Sequence, residues 1–375
     1  MKRLLGGRPA LMGPGPAKKP ARSRISRLEE EYRQLKPWLL FREEDSVLIL
    51  PPNKVYKLGG SGAAIVGFLQ RGGRLRDIPG LDEGKLADLE RFFAQLAAAS
   101  SGEAVELERV PYDFAFTRLP ILGELALTYG CNERCRFCYA ACGDAADKGG
   151  RAAYAPVAPL KPGRGELSTE EARRVIRIFK EEAKIPFFSF TGGEPLLRAD
   201  LEELASYARG LGLRTNLITN GSLASPERAR SLKAAGIETA QVSLESPDEA
   251  IHDGLCGREG AWRKTVAGIA NLRDAGISVQ TNSTLTSVNR ESLLGLPAFL
   301  STLGVARFSM NLFIPSGRGL GNTDLFVPYS EAGATVDLVR KAANLAGLTF
   351  FWYSPTPYCY YNPVARGLGN KSCAA

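Results

Sequence analysis

The chain has 375 residues, with 48 Lys plus Arg against 40 Asp plus Glu, seven Cys, a single His and 44% apolar residues, which suits two or three domains with a substantial core. No apolar run reaches the ~18 residues of a membrane span, and the amino terminus lacks a signal-peptide core, which points to the cytoplasm. One histidine excludes zinc sites built on two or three imidazoles, and an odd, sparse set of cysteines reads as ligands or reactive thiols instead of disulfides.

Residues 1–24 hold Lys2, Arg3, Arg8, Lys18, Lys19, Arg22 and Arg24 with no acid. They carry almost the whole net charge of +8, lack hydrophobic periodicity and are expected to be a disordered basic tail. The rest of the chain is close to neutral. Ser26 to Leu40 reads as a short helix, and SVLILPPNKVYKL as a hairpin around Pro51, Pro52 and Asn53. Helices follow at SGAAIVGFLQRGG, which stops at Gly72 and Gly73, and from about Glu83 to Ala99. Residues 25–108 are thus expected to form a small winged-helix-like α+β domain. Its acids, Asp45, Asp77, Asp82, Glu83, Asp88 and Glu90, are scattered among its bases, which disfavours nucleic acid.

From about Ile121 strands alternate with helices. The strands GELALTY, PFFSF, RTNLIT, TAQVSLE, SVQTNSTLT and ARFSMNLF make six parallel β/α units, whose reactive groups gather at the carboxyl ends of the strands. Directly after the first stands Cys131-Asn-Glu-Arg-Cys135-Arg-Phe-Cys138-Tyr139. Three thiolates in eight residues can wrap one iron–sulfur cube while leaving its fourth iron open. The bland alternative closes the site with Cys142, as a four-cysteine zinc site or a closed cluster. Thr191-Gly192-Gly193-Glu194-Pro195 follows the second strand, where glycines permit close backbone approach and a carboxylate suits a cationic amine.

This pairing resembles the radical S-adenosylmethionine (SAM) superfamily, over roughly residues 118–325. The resemblance implies a partial (β/α)6 barrel, a [4Fe–4S] cluster on Cys131, Cys135 and Cys138, and SAM chelated to the open iron. Reductive cleavage of SAM would then yield a 5′-deoxyadenosyl radical. Phe137 is the aromatic of the family's cysteine loop, with Tyr139 beside it. Gly192, Gly193 and Glu194 look like its SAM-amine motif, and Ser243, Arg258 and Asn282 are candidate SAM contacts. Family members often carry Arg-Gly where this chain has Cys256-Gly257. Asn220 reads as a turn residue, and His252 as a structural histidine at a helix start.

Residues 326–375, with Cys359 and Cys373, resemble the opening of a SPASM extension, truncated at Ala375; the resemblance implies an auxiliary iron–sulfur cluster on these two cysteines, whose ligand set two thiols leave incomplete. Residues 25–108 resemble the PqqD-like peptide-recognition domain, which takes a precursor peptide's leader as an added strand, here on residues 41–108. The expected protein is a cytoplasmic peptide maturase that activates a C–H bond for crosslinking, thioether formation or oxidation, reduced by a ferredoxin or flavodoxin. Two alternatives stay open: a radical SAM enzyme acting on a small-molecule cofactor precursor or another enzyme, and a non-catalytic iron–sulfur or zinc regulator.

Overall fold

The computed structural model describes residues 2–4, 22–50, 54–101, 107–109, 117–143 and 165–368. They fall into two compact units, 1–120 and 121–375.

In the first unit, β2 (Leu40–Arg42), β3 (Val47–Leu50) and β4 (Lys54–Leu58) form an antiparallel meander. This is the hairpin expected around Pro51, preceded by one more strand. Helices α1 (Arg22–Leu35), α2 (Gly60–Gln70) and α3 (Glu83–Ser101) supply a core in which Leu28, Tyr32, Leu48, Leu50, Val66, Leu86 and Phe93 are buried. The expected disorder of residues 1–24 needs correction at both ends. Lys2–Leu4 form strand β1, parallel to β4 and antiparallel to β5 (Leu107–Arg109), and the sheet order is β2-β3-β4-β1-β5. Its partners come from distant sequence, so no local pattern announces it. Arg22 already opens α1, and Arg24 binds Glu90 at 3.0 and 2.6 Å, tying α1 to α3. Residues 5–21 lie outside the described residues.

The second unit is an α/β layer built on a wholly parallel sheet. Its strands are β6 (Leu122–Ala126), β7 (Phe187–Thr191), β8 (Arg214–Thr219), β9 (Ile237–Ser243), β10 (Ser278–Leu285), β11 (Arg307–Leu312) and β12 (Thr349–Trp352), side by side in chain order. The connecting helices are α4 (Thr169–Glu181), α5 (Leu201–Gly210), α6 (Pro226–Ala235), α7 (Glu249–Cys256), α8 (Ala261–Asp274), α9 (Leu296–Thr302) and α10 (Tyr329–Leu345). The six expected strands are present, and the sheet has a seventh. It comes from residues 326–375, whose α10 and β12 complete another helix–strand unit. The signal was available: Ala332, Val336, Val339 and Ala343, all buried, recur at helical spacing.

Alternation along the strands sorts the two faces of the sheet. Phe188, Phe190, Leu217, Val242, Phe308 and Met310 are buried in the core shared with the helices. The opposite face is polar and cross-linked. Asn216 Nδ2 donates to Ser189 Oγ at 3.1 Å, Thr239 to Asn216 Oδ1 at 2.7 Å, Gln280 Nε2 to Gln241 Oε1 at 2.9 Å, and Ser309 to Asn282 Oδ1 at 2.8 Å. Helix starts follow local chemistry. Ser168 and Glu171 form a reciprocal capping box on α4, and Ser225 caps α6 ahead of Pro226.

Candidate active site

The ladder between β6 and β7 does not stop where the strands end. Leu127 N donates to Thr191 O at 2.9 Å, Gly193 N to Thr128 O at 2.7 Å and Glu194 N to Gly130 O at 2.9 Å, so the Gly-Gly-Glu turn grips the root of the cysteine loop. A Cβ on Gly192, which sits at φ 138°, would lie 2.3 Å from Thr128 O, and one on Gly193 would lie 2.2 Å from Gly130 O. The backbone that approaches these glycines is the cysteine loop itself. Sequence reasoning attached the close approach to a ligand; the structure attaches it to the chain that positions the thiols.

The far side of the loop rests on the end of α7. Arg134 N donates to Cys256 O at 3.0 Å and Arg136 N to Leu255 O at 2.8 Å, while Gly257, at φ 64°, leaves room for Arg134 O. Two arginines hold loop carbonyls. Arg258 Nη1 donates to Asn132 O, and Arg318 donates to Cys135 O at 2.9 Å and Cys142 O at 2.8 Å. Neither arginine was read from sequence as a loop clamp; Arg258 was expected near SAM, and its guanidinium holds the Asn132 carbonyl of the cysteine loop.

Within the loop, Cys131 Sγ accepts Glu133 N and Cys138 Sγ accepts Cys142 N, each at 3.4 Å. Burial pushes the Cys131 thiol up, and Glu194 and Cys135 push it further. Cys142 is buried and holds the Cys138 sulfur through hydrogen bonds, which favours the thiolate at Cys138. Phe137 packs against the cluster of Leu255, Phe313 and Leu325 and so braces the loop, whereas Tyr139 is 73% exposed.

Glu194 is fully buried. Its carboxylate accepts Leu196 N at 2.9 Å, Thr219 Oγ1 at 2.8 Å and Asn220 N at 2.8 Å, and burial pushes it up to about 7. It therefore brackets the ends of β7 and β8, and with about four acceptor positions it has room for one more donor. Asn220 does start a turn, since its Oδ1 accepts Ser222 N at 2.9 Å, but its Nδ2 also donates to Asn132 Oδ1 at 2.8 Å inside the cysteine loop. Ser243, the last residue of β9, and Asn282, inside β10, are register partners on the polar face.

Sequence reasoning missed two buried acids. Glu133 and Glu245 are both pushed up to about 8, first by desolvation, and Glu133 Oε1 has no hydrogen-bond partner. An acid inside a three-cysteine loop was the available signal for Glu133. Cys359 is exposed, and Cys373 lies outside the described residues.

The donor set fits an iron–sulfur cluster. Three half-buried thiols on one short loop, crowded by Glu133 and Glu194, form an electron-rich group in which thiolates repel one another until a cation joins them. Cys131, Cys135 and Cys138 would hold it.

Residues 125–296 match the family described as Radical SAM superfamily, whose members use a [4Fe–4S] cluster and SAM. The AdoMet-dependent heme synthase of Nitratidesulfovibrio vulgaris is 35% identical over 205 residues, 55% of this chain and 51% of that protein. The PqqA peptide cyclase of Xanthomonas campestris pv. campestris is 35% identical over 159 residues, 42% of each chain. The chain spans about half the length of these relatives. The crystal structure of Streptococcus suis SuiB shares the fold, with TM-score 0.57 and 17% identity over 89% of this chain and 75% of that one.

Proposed function

We propose, from the premise that residues 125–296 are a radical SAM core, that this protein reductively cleaves SAM and uses the radical to activate a C–H bond of a ribosomally made peptide. The bound cofactors supply an electron and a 5′-deoxyadenosyl radical. The chain's residues supply the placement. Cys131, Cys135 and Cys138 hold the cluster, the Gly192–Gly193 turn fixes their loop, and Glu194, Ser243, Arg258 and Asn282 surround the position expected for SAM. The observation that carries the reading is the three-cysteine loop locked onto the Gly-Gly-Glu turn by two backbone hydrogen bonds.

The peptide assignment rests on two further observations. The polar face of the parallel sheet is lined by neutral amides and hydroxyls from Asn216, Thr239, Gln241, Gln280, Asn282 and Ser309, paired with one another across the strands, a neutral polar lining that suits a peptide chain. The first unit is a small sheet-and-helix body whose edge strands suit docking by strand addition, the role we give to residues 41–108 for a leader. A PqqD-like identity for that unit, an auxiliary cluster involving Cys359 and Cys373, a ferredoxin or flavodoxin donor and a cytoplasmic setting belong to the same proposal. Among the described residues no helix is long and apolar enough to cross a membrane.

The identity with AdoMet-dependent heme synthase favours a second reading, a tetrapyrrole substrate. One anaerobic experiment tests both. The reconstituted protein with SAM and dithionite is expected to form 5′-deoxyadenosine, and Cys135→Ala to form none; no product from a cluster-loaded wild type refutes the radical reading. Stimulation of that product by candidate precursor peptides supports the peptide reading, and stimulation by tetrapyrrole carboxylates alone replaces it.

A further inference from the structure

Cys256 and His252 belong to no part of the mechanism above, yet both are buried on α7 against the cysteine loop. Their hydrogen bonds have a direction. Glu245 N donates to His252 Nδ1 at 3.1 Å, and a neutral imidazole accepting at Nδ1 carries its proton on Nε2. That Nε2 lies 3.5 Å from Cys256 Sγ, so the histidine donates to the cysteine. Cys256 Sγ in turn lies within 4.8 Å of the Cys135 sulfur and of a Glu133 carboxylate oxygen. With a lone pair of its sulfur engaged by His252, the thiol proton of Cys256 has two acceptors beside it, the Cys135 sulfur and the Glu133 carboxylate.

We propose that His252 and Cys256 form a hydrogen-bond relay that ends on the Cys135 sulfur and raises the reduction potential of the cluster held there. The proposal rests on Cys131, Cys135 and Cys138 being the cluster ligands. Hydrogen bonds to a ligand sulfur withdraw electron density and favour the cluster that has gained one electron. Cys131 and Cys138 receive backbone donors, which substitution cannot remove. Cys135 receives a side-chain donor, which makes this the adjustable member of the set. Burial holds His252 neutral, its pKa pushed down to about 4. His252 and Cys256 are therefore positioning residues that act through a ligand.

The test uses the full-length holoprotein. Wild type, Cys256→Ala, Cys256→Ser and His252→Ala are reconstituted anaerobically, assayed for iron and sulfide, and titrated with dithionite while the reduced cluster is followed by electron paramagnetic resonance. Cys256→Ala is expected to hold the wild-type amount of iron. At the wild-type midpoint its ratio of reduced to oxidised cluster should fall about tenfold, a shift of about 59 mV to more negative potential. Cys256→Ser, which restores a donor, should recover most of the shift, and His252→Ala should move the same way by less. A midpoint equal to wild type in Cys256→Ala overturns the relay, as does loss of one iron per cluster, which would make Cys256 a ligand. If wild type assembles no cluster, the ligand reading fails first and separately.

Discussion

Gly193→Ala puts the Gly-Gly-Glu interpretation under the sharpest strain. Its Cβ would sit 2.2 Å from Gly130 O and 2.8 Å from Gly130 C, both backbone atoms that cannot rotate away. Restoring ordinary contact requires the β7 turn and the root of the cysteine loop to separate by roughly 1 Å, since carbon–oxygen contacts favour about 3.3 Å or more. The hydrogen bonds Gly193 N to Thr128 O, 2.7 Å, and Glu194 N to Gly130 O, 2.9 Å, would be broken or stretched. Each contributes about 1 kcal/mol, and a donor left buried without a partner costs about 1–3 kcal/mol more. The expected loss is therefore about 2–5 kcal/mol, a melting temperature lower by about 5–15 °C for a unit of this size. Thermal unfolding of the apo protein measures the stability term, and iron per chain after reconstitution measures the geometry of the thiols. Both should fall. Gly254→Ala is the matched control, because nothing lies within 4 Å of its added Cβ on the exposed face of α7. Wild-type melting and iron content in Gly193→Ala would refute the claim that the glycines exist to admit the cysteine loop.

Arg198 is fully buried and binds Asp200 at 2.8 and 2.7 Å, Leu127 O at 2.9 Å and Leu167 O at 3.1 Å. Arg198→Ala should cost about 3–5 kcal/mol in urea unfolding, and a cost under about 1 kcal/mol would contradict its role as a tie between β6 and α4. In the first unit, burial by itself would raise the Asp45 carboxyl, but the Arg42 fork and Arg118 N–H hold it below the usual carboxylate range. A depressed folded pKa gives stability that is complete above the unfolded value of about 3.9 and lost as pH falls through the folded value. The melting-temperature gap between wild type and Asp45→Asn should therefore shrink below about pH 4, and a gap independent of pH would remove this linkage. Brief iodoacetamide treatment of the apo protein, followed by peptide mapping, should label exposed Cys359 well before buried Cys142 and Cys256; equal labelling would contradict their burial.

The three cysteines, the Gly-Gly-Glu-Pro turn and the six strand–helix units were legible from the chain alone because each depends on spacing within a few residues. Periodicity places a strand, and eight residues are short enough that Cys131, Cys135 and Cys138 must meet. A seventh unit was missed where a signal existed, in the helical spacing from Ala332 to Ala343. Other features had no local signature. Lys2–Leu4 become a strand only because β4 and β5 offer backbone partners from fifty and a hundred residues away. Asn220 looks like any turn asparagine until Asn132 is set against it. The glycines announce close approach without saying of what, and the single histidine looked merely structural until the fold aimed its Nε2 at Cys256. Local spacing determined which groups are the candidates for the chemistry. The tertiary structure decided which groups lie against them, because a hydrogen bond between residues far apart in the chain is set by how whole strands and helices pack and leaves no trace in the neighbouring sequence.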